Sequence, residues 1–102
     1  EVAVVGSGTL TNAGNTETPL TIEITGPAAN PEVTIGDITL GYTGTIPAGK
    51  TLVIDTEKLT AELDGENVLD DLTGDITVML QPGETTVTAD SNVTFIWRER
   101  WV

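Results

Sequence analysis

Of the 102 residues, 37 are branched at Cβ: 19 threonines, 10 valines and 8 isoleucines. Two heavy atoms on Cβ restrict χ1 in a helix and pack well on a pleated surface, so the chain is biased towards strands from the outset. The pattern agrees with the bias. Leu20, Ile22 and Ile24 alternate with Thr21, Glu23 and Thr25. Ile76, Val78 and Leu80 alternate with Thr77 and Met79, and Val93, Phe95 and Trp97 alternate with Thr94, Ile96 and Arg98. Period two marks strands with one face towards a core, and the last of these runs is apolar enough to be covered on both faces. No long helical periodicity is present.

Turn chemistry divides the runs at short intervals, as an antiparallel sandwich requires. A polar loop from Asn12 to Thr18 precedes the Leu20 strand, which Gly26-Pro27 ends, and Asn30-Pro31 opens the next at Val33. Pro47-Ala48-Gly49 joins a short strand near Tyr42–Ile46 to Leu52–Asp55. Asp64-Gly65 reads as a hairpin or loop-entry pair, and Pro82-Gly83 suits a type II turn, with glycine at the positive φ. One helical turn is expected at Val68–Leu72, capped by Asn67 and with Asp70 near its positive end. The reading is one all-β domain over residues 1–102, an antiparallel sandwich of roughly eight or nine strands.

Composition then removes functions. Sixteen acidic residues against four basic ones give a net charge of −12, with no histidine and no cysteine. Nucleic-acid binding and anionic membrane surfaces both demand positive charge, and Lys50, Lys58, Arg98 and Arg100 are the whole supply. Thiolate metal sites and disulfides are excluded, and no catalytic triad can be assembled from Ser7 and Ser91 alone. No apolar run is long enough for a membrane-spanning helix. The inventory points to a protein that is not an enzyme and needs no cofactor.

Three segments invite a closer look. Val2-Ala3-Val4-Val5-Gly6-Ser7-Gly8 resembles the entry to a dinucleotide-binding turn. The third glycine is missing at Thr11, though, and no helix follows, so glycines marking a bulge are the better reading. Asp64, Glu66, Asp70 and Asp71 form an acidic segment that is a weak calcium candidate. Val68 and Leu69 interrupt the ligand pattern, which favours a solvated loop. The aromatics crowd the chain end, in Phe95-Ile96-Trp97-Arg98-Glu99-Arg100-Trp101. Phe95 and Trp97 share the core parity. Trp101, Arg98 and Arg100, with Tyr42, are the candidate contacts for a partner or a sugar, because indole and phenol faces stack on sugar rings and Arg pairs with Trp.

The order of these pieces resembles a known family. Asn12-x-Gly14, Pro19 with the Leu20–Thr25 strand, Ile46-x-Ala48-Gly49 and Leu52-Val53-Ile54-Asp55-Thr56-Glu57 come first. Leu63-Asp64-Gly65-Glu66-Asn67-Val68-Leu69, Leu80-x-Pro82-Gly83-Glu84 and the closing Trp97-Arg98-Glu99-Arg100-Trp101 follow. Together they are similar to the C-terminal domain of siphophage distal tail proteins of Gram-positive hosts. The resemblance implies a galectin-like jelly-roll sandwich without enzymatic activity, situated at the virion tail tip and facing outwards. It also implies that this chain is the C-terminal fragment of a longer protein whose N-terminal ring-forming domain is absent. The fragment is then expected to be a monomer or weak dimer and the full-length protein a hexameric ring. Docking of other tail-tip or receptor-binding proteins is the expected role. The alternatives are a carbohydrate-binding module contacting host cell-wall polysaccharide, or a domain of a secreted bacterial adhesin or a glycoside hydrolase accessory module.

Overall fold

The Leu20–Ile22–Ile24 alternation becomes an interior strand of the larger of two sheets. In the computed structural model, which describes residues 2–89 and 92–100, the strands in chain order are β1 (Val2–Val5), β2 (Gly8–Asn12), β3 (Leu20–Thr25), β4 (Ala28–Ala29), β5 (Glu32–Ile35), β6 (Ile38–Tyr42) and β7 (Thr45–Ile46), followed by β8 (Thr51–Asp55), β9 (Thr60–Leu63), β10 (Glu66–Asn67), β11 (Leu72–Thr73), β12 (Gly83–Ala89) and β13 (Asn92–Trp97). Nine of these have four or more residues and four are two-residue segments. A six-stranded sheet runs β1-β13-β3-β8-β9-β10 and a five-stranded sheet runs β11-β6-β5-β12-β2, with β4 and β7 as a separate ribbon. All pairings between these strands are antiparallel. The chain crosses repeatedly from one sheet to the other, as in jelly-roll sandwiches.

Parity determines which residues meet between the sheets. Leu20, Ile22, Ile24, Leu52, Ile54, Val93, Phe95 and Trp97 from the larger sheet join Leu10, Val33, Ile35, Leu40 and Val87 from the smaller in one buried cluster. Phe95 is fully enclosed. Burying a side chain of this size contributes roughly 1.5–3 kcal/mol, so the interdigitated inner faces hold the two sheets together. The outer face of the smaller sheet carries threonines instead. Thr34 faces both Thr39 and Thr88, and Thr86 faces Thr9, across the ladders.

Several turns follow their local sequence. Asp64 (φ 53°) and Gly65 (φ 83°) form a two-residue turn that pairs Leu63 with Glu66, the doubly positive geometry that Asp-Gly accommodates. Gly83 takes a positive φ of 95°. The expected helical turn shrinks to a 3-10 turn at Leu69–Asp71 with Val68 at its start. Asn67 still serves it, its Oδ1 accepting from the Leu69 N–H at 2.9 Å.

Two expectations need correction. Ile76–Leu80 is not a strand, although its alternation is real: Val78 and Leu80 are buried and Thr77 is exposed. Asp75 ties the segment into a turn, its carbonyl accepting from the Val78 N–H and its carboxylate from the Thr77 N–H. Only Leu80 then bridges to Thr18. The Tyr42–Ile46 strand is in fact split, Tyr42 ending β6 in the five-stranded sheet and Thr45–Ile46 lying in the separate ribbon.

Candidate docking groove

The chain leaves β13 as a short strap, Arg98, Glu99 and Arg100, and the loop after β2 clamps it. Asn12 builds that loop. Its buried side chain accepts from the Gly14 N–H at 3.0 Å and donates to the carbonyls of Thr16 (3.0 Å) and Leu80 (3.1 Å). An amide with one acceptor and two donors engaged organises a loop that has no ladder of its own. The loop then grips the strap at three successive residues. The Thr18 hydroxyl donates to Arg98 O at 2.7 Å, the Ala13 N–H to Glu99 Oε2 at 2.9 Å, and the Asn15 N–H to Arg100 O at 3.0 Å. Gly14 lies so close that a Cβ there would fall 2.2 Å from Arg100 O.

Between this strap and the end of β8 lies a groove of about 470 Å³, lined by Thr18, Pro19, Leu20, Thr21, Ile96 and Trp97. Asp55 and Glu57 form its far wall. Thr56 secures that wall, its hydroxyl donating to Leu20 O at 3.0 Å and accepting from the Leu20 N–H at 2.8 Å. Asp55 caps the turn after β8, accepting from the N–H groups of Glu57 (2.9 Å) and Lys58 (3.1 Å). One Arg100 guanidinium nitrogen pairs with Glu57 Oε2 at 2.9 Å. Both side chains are about half exposed or more, so the pair is worth at most about 1 kcal/mol and is easily exchanged for another partner. Trp97 is 3% exposed, and its Nε1 is buried without a hydrogen-bond partner.

The groove therefore brings two of the four cations together with three carboxylates. No serine, cysteine or histidine lines it. An Arg guanidinium beside carboxylates offers both donors and acceptors for charge-assisted hydrogen bonds.

Of the candidate contacts, Arg98 and Arg100 are here and exposed. Trp101 lies outside the described residues. Tyr42 is not a surface contact: it is 8% exposed and belongs to the core, at the end of β6 in the opposite sheet. Its place at the inner parity of β6 outweighs the polarity of its hydroxyl. The acidic segment is dispersed by the fold. Asp64 sits on the hairpin turn and pairs with Lys50 at 3.0 Å, Glu66 is in β10, and Asp70 and Asp71 are on the 3-10 turn. Among the described residues no group of three or more His, Cys, Asp or Glu is placed to hold a metal ion.

Sequence reasoning missed Thr18, Asp55, Glu57 and Glu99. The outward parity of Asp55 was legible in Leu52-Val53-Ile54-Asp55. Its proximity to the strap follows only from β3 lying between β13 and β8.

Comparison with known proteins accords with this architecture. No curated protein matches the chain. The crystal structure of the SPP1 Dit (gp 19.1) protein, described as a paradigm of the hub adsorption apparatus in phages infecting Gram-positive bacteria, superposes with a TM-score of 0.84 at 19% identity. The match covers 96% of this chain and 46% of that one, so the chain spans under half the length of the phage protein. At this identity the likeness establishes the shared sandwich. The family profile of the siphovirus-type tail component, C-terminal domain, matches residues 13–101. Its match begins one residue after Asn12 and covers the clamp, the groove and the strap alike: the chain belongs to this family of phage tail components.

Proposed function

We propose that this domain is a non-enzymatic docking module of the distal tail hub, binding neighbouring tail-tip or receptor-binding proteins through the groove beneath the Arg98–Arg100 strap. The observation that carries the reading is the clamp. Three hydrogen bonds, two to the backbone carbonyls of Arg98 and Arg100 and one to the Glu99 carboxylate, hold the strap in one geometry, so its two arginines are presented from a pre-organised backbone, which lowers the entropy cost of association. The domain serves as the C-terminal part of a longer protein, whose N-terminal part forms a hexameric ring. Isolated, it is a monomer or at most a weak dimer.

The test is charge reversal in the full-length protein. Arg98→Glu with Arg100→Glu is expected to abolish co-purification with the products of the adjacent tail genes while leaving the ring and the fold intact. Unchanged assembly would overturn the reading. So would retention of the isolated domain on host cell walls that is lost in Trp101→Ala, which would favour cell-wall polysaccharide as the ligand.

A further inference from the structure

The first strand, β1, is one edge of the larger sheet. The Gly6 N–H donates to Val93 O at 2.7 Å, and the register sets Val5 opposite Thr94 and Val4 opposite Phe95. In an antiparallel ladder, bonding to a given neighbour alternates along the strand. Val2 and Val4 therefore bond to β13, while the N–H and C=O groups of Ala3 and Val5 point away from it, along the sheet edge. Among the described residues no further hydrogen bond engages the backbone of either. The same two residues present exposed side chains, Val5 at 76%.

Natural edges are normally blunted by charge, proline or shortness. The opposite edges follow that rule: β10 and β11 are two residues each, and β10 carries Glu66. Strand β1 has none of these protections. From Val2 to Thr16 no residue is charged, the longest such run in a chain of net charge −12. That run contains β1 and β2, an edge strand of each sheet. Ser7 pins the step between them through its hydroxyl, which accepts from the Ala89 N–H at 2.9 Å.

We propose that β1 is a β-augmentation site that takes an extended, uncharged segment of another protein as an antiparallel seventh strand of the larger sheet. The inference stands apart from the groove, using neither arginine. Backbone groups of Ala3 and Val5 supply affinity, and alternate side chains of the incoming strand pack beside Ala3 and Val5 on the outer face. Charge identifies the occupant. A second copy of this chain brings its own −12 and is repelled over the rest of its surface, whereas an uncharged segment of another protein reaches the uncharged edge unopposed.

The probe is a short synthetic peptide of alternating valine and threonine with blocked ends and a serine at each end, titrated against the isotope-labelled chain. Expected are shifts confined to β1 and its neighbours and new exchange protection at the Ala3 and Val5 amides. Ala3→Pro removes an N–H that the β13 ladder does not use, so the fold should persist. Its affinity for the peptide should fall at least about tenfold, with Val5→Lys acting likewise and Val5→Thr binding normally. Shifts mapping to the groove or to the threonine face, no binding at millimolar peptide, or equal binding by Ala3→Pro and Val5→Lys would each overturn the proposal. A dimer of the chain alone that Ala3→Pro dissociates would overturn it in favour of self-pairing.

Discussion

Replacing Gly14 by alanine tests the clamp directly. No positive φ is required there, so alanine fits the backbone and the penalty is purely steric. The added Cβ would stand 2.2 Å from Arg100 O and 2.8 Å from Arg100 N. Both are main-chain atoms that cannot rotate aside. Restoring ordinary contact requires the loop and the strap to part by about 1 Å. The Asn15 N–H to Arg100 O bond, now 3.0 Å, does not survive that separation. One or two bonds at about 1 kcal/mol each, with the strap partly relieving the clash, put the loss at about 2 kcal/mol. For a domain of this size the melting temperature should fall by roughly 8–16 °C. Thermal and urea denaturation followed by circular dichroism measure it. A companion variant sharpens the result. Thr18→Val deletes the hydroxyl that holds Arg98 O, so if both substitutions release one strap their effects overlap, with a coupling of at least about 0.5 kcal/mol. A loss under about 2 °C for Gly14→Ala, or strict additivity with Thr18→Val, would refute the claim that the loop and the strap form one unit.

Two further outcomes concern the groove wall and a neighbouring turn. Thr56→Val leaves the buried Leu20 N–H without its side-chain partner and should cost about 1–3 kcal/mol in urea unfolding, against near-neutrality for Thr25→Val on the exposed face. Asp75 has its carboxyl held below its ordinary value of 3.8, chiefly by the Thr77 hydroxyl and then by the Thr77 N–H. A folded-state pKa below the unfolded one gives stability that is complete above the ordinary value and is lost as pH falls through the lower folded value. Carboxyl NMR titration of Thr77→Ala should therefore show Asp75 moving back up, and the variant should lose some of the wild type's pH dependence below about pH 4.

What the sequence could and could not disclose follows from the range of the forces involved. Strand faces are local: the alternation at Leu20–Thr25 and at Val93–Trp97 names the buried residues of β3 and β13 before any partner is known. Two-residue turns are local too, and Asp64-Gly65 folds as its φ preferences dictate. The Ile76–Leu80 segment shows the limit. Side-chain alternation reports burial, and Val78 and Leu80 are buried, but a ladder also needs a partner strand, and Asp75 draws the backbone into a turn instead. Tyr42 failed for the opposite reason. Its ring suggested a face for stacking on a sugar, while the inner parity of β6, knowable only once Val33 is seen to pair with Leu40, placed it in the core. The groove was half legible. Arg98 and Arg100 lie together in sequence, but Asp55 and Glu57 reach them only through the order β13-β3-β8.

The charge distribution separates the two surfaces by their response to salt. Docking at the strap relies on Arg98 and Arg100 finding acceptors on a partner, and salt weakens attraction between exposed charges over a screening length of about 8 Å at physiological ionic strength. Strand addition at β1 relies on backbone groups and apolar contact, with no charged residue on the strand. The only long-range force there is repulsion between an acidic domain and any partner of like sign, which salt relieves. Raising ionic strength should therefore loosen an arginine-dependent partner and leave a neutral strand unaffected or better bound. A single acidic partner using both surfaces would weaken at one and strengthen at the other. Its weakening by salt should then be lost or reversed in the Arg98→Glu, Arg100→Glu variant and persist in Ala3→Pro.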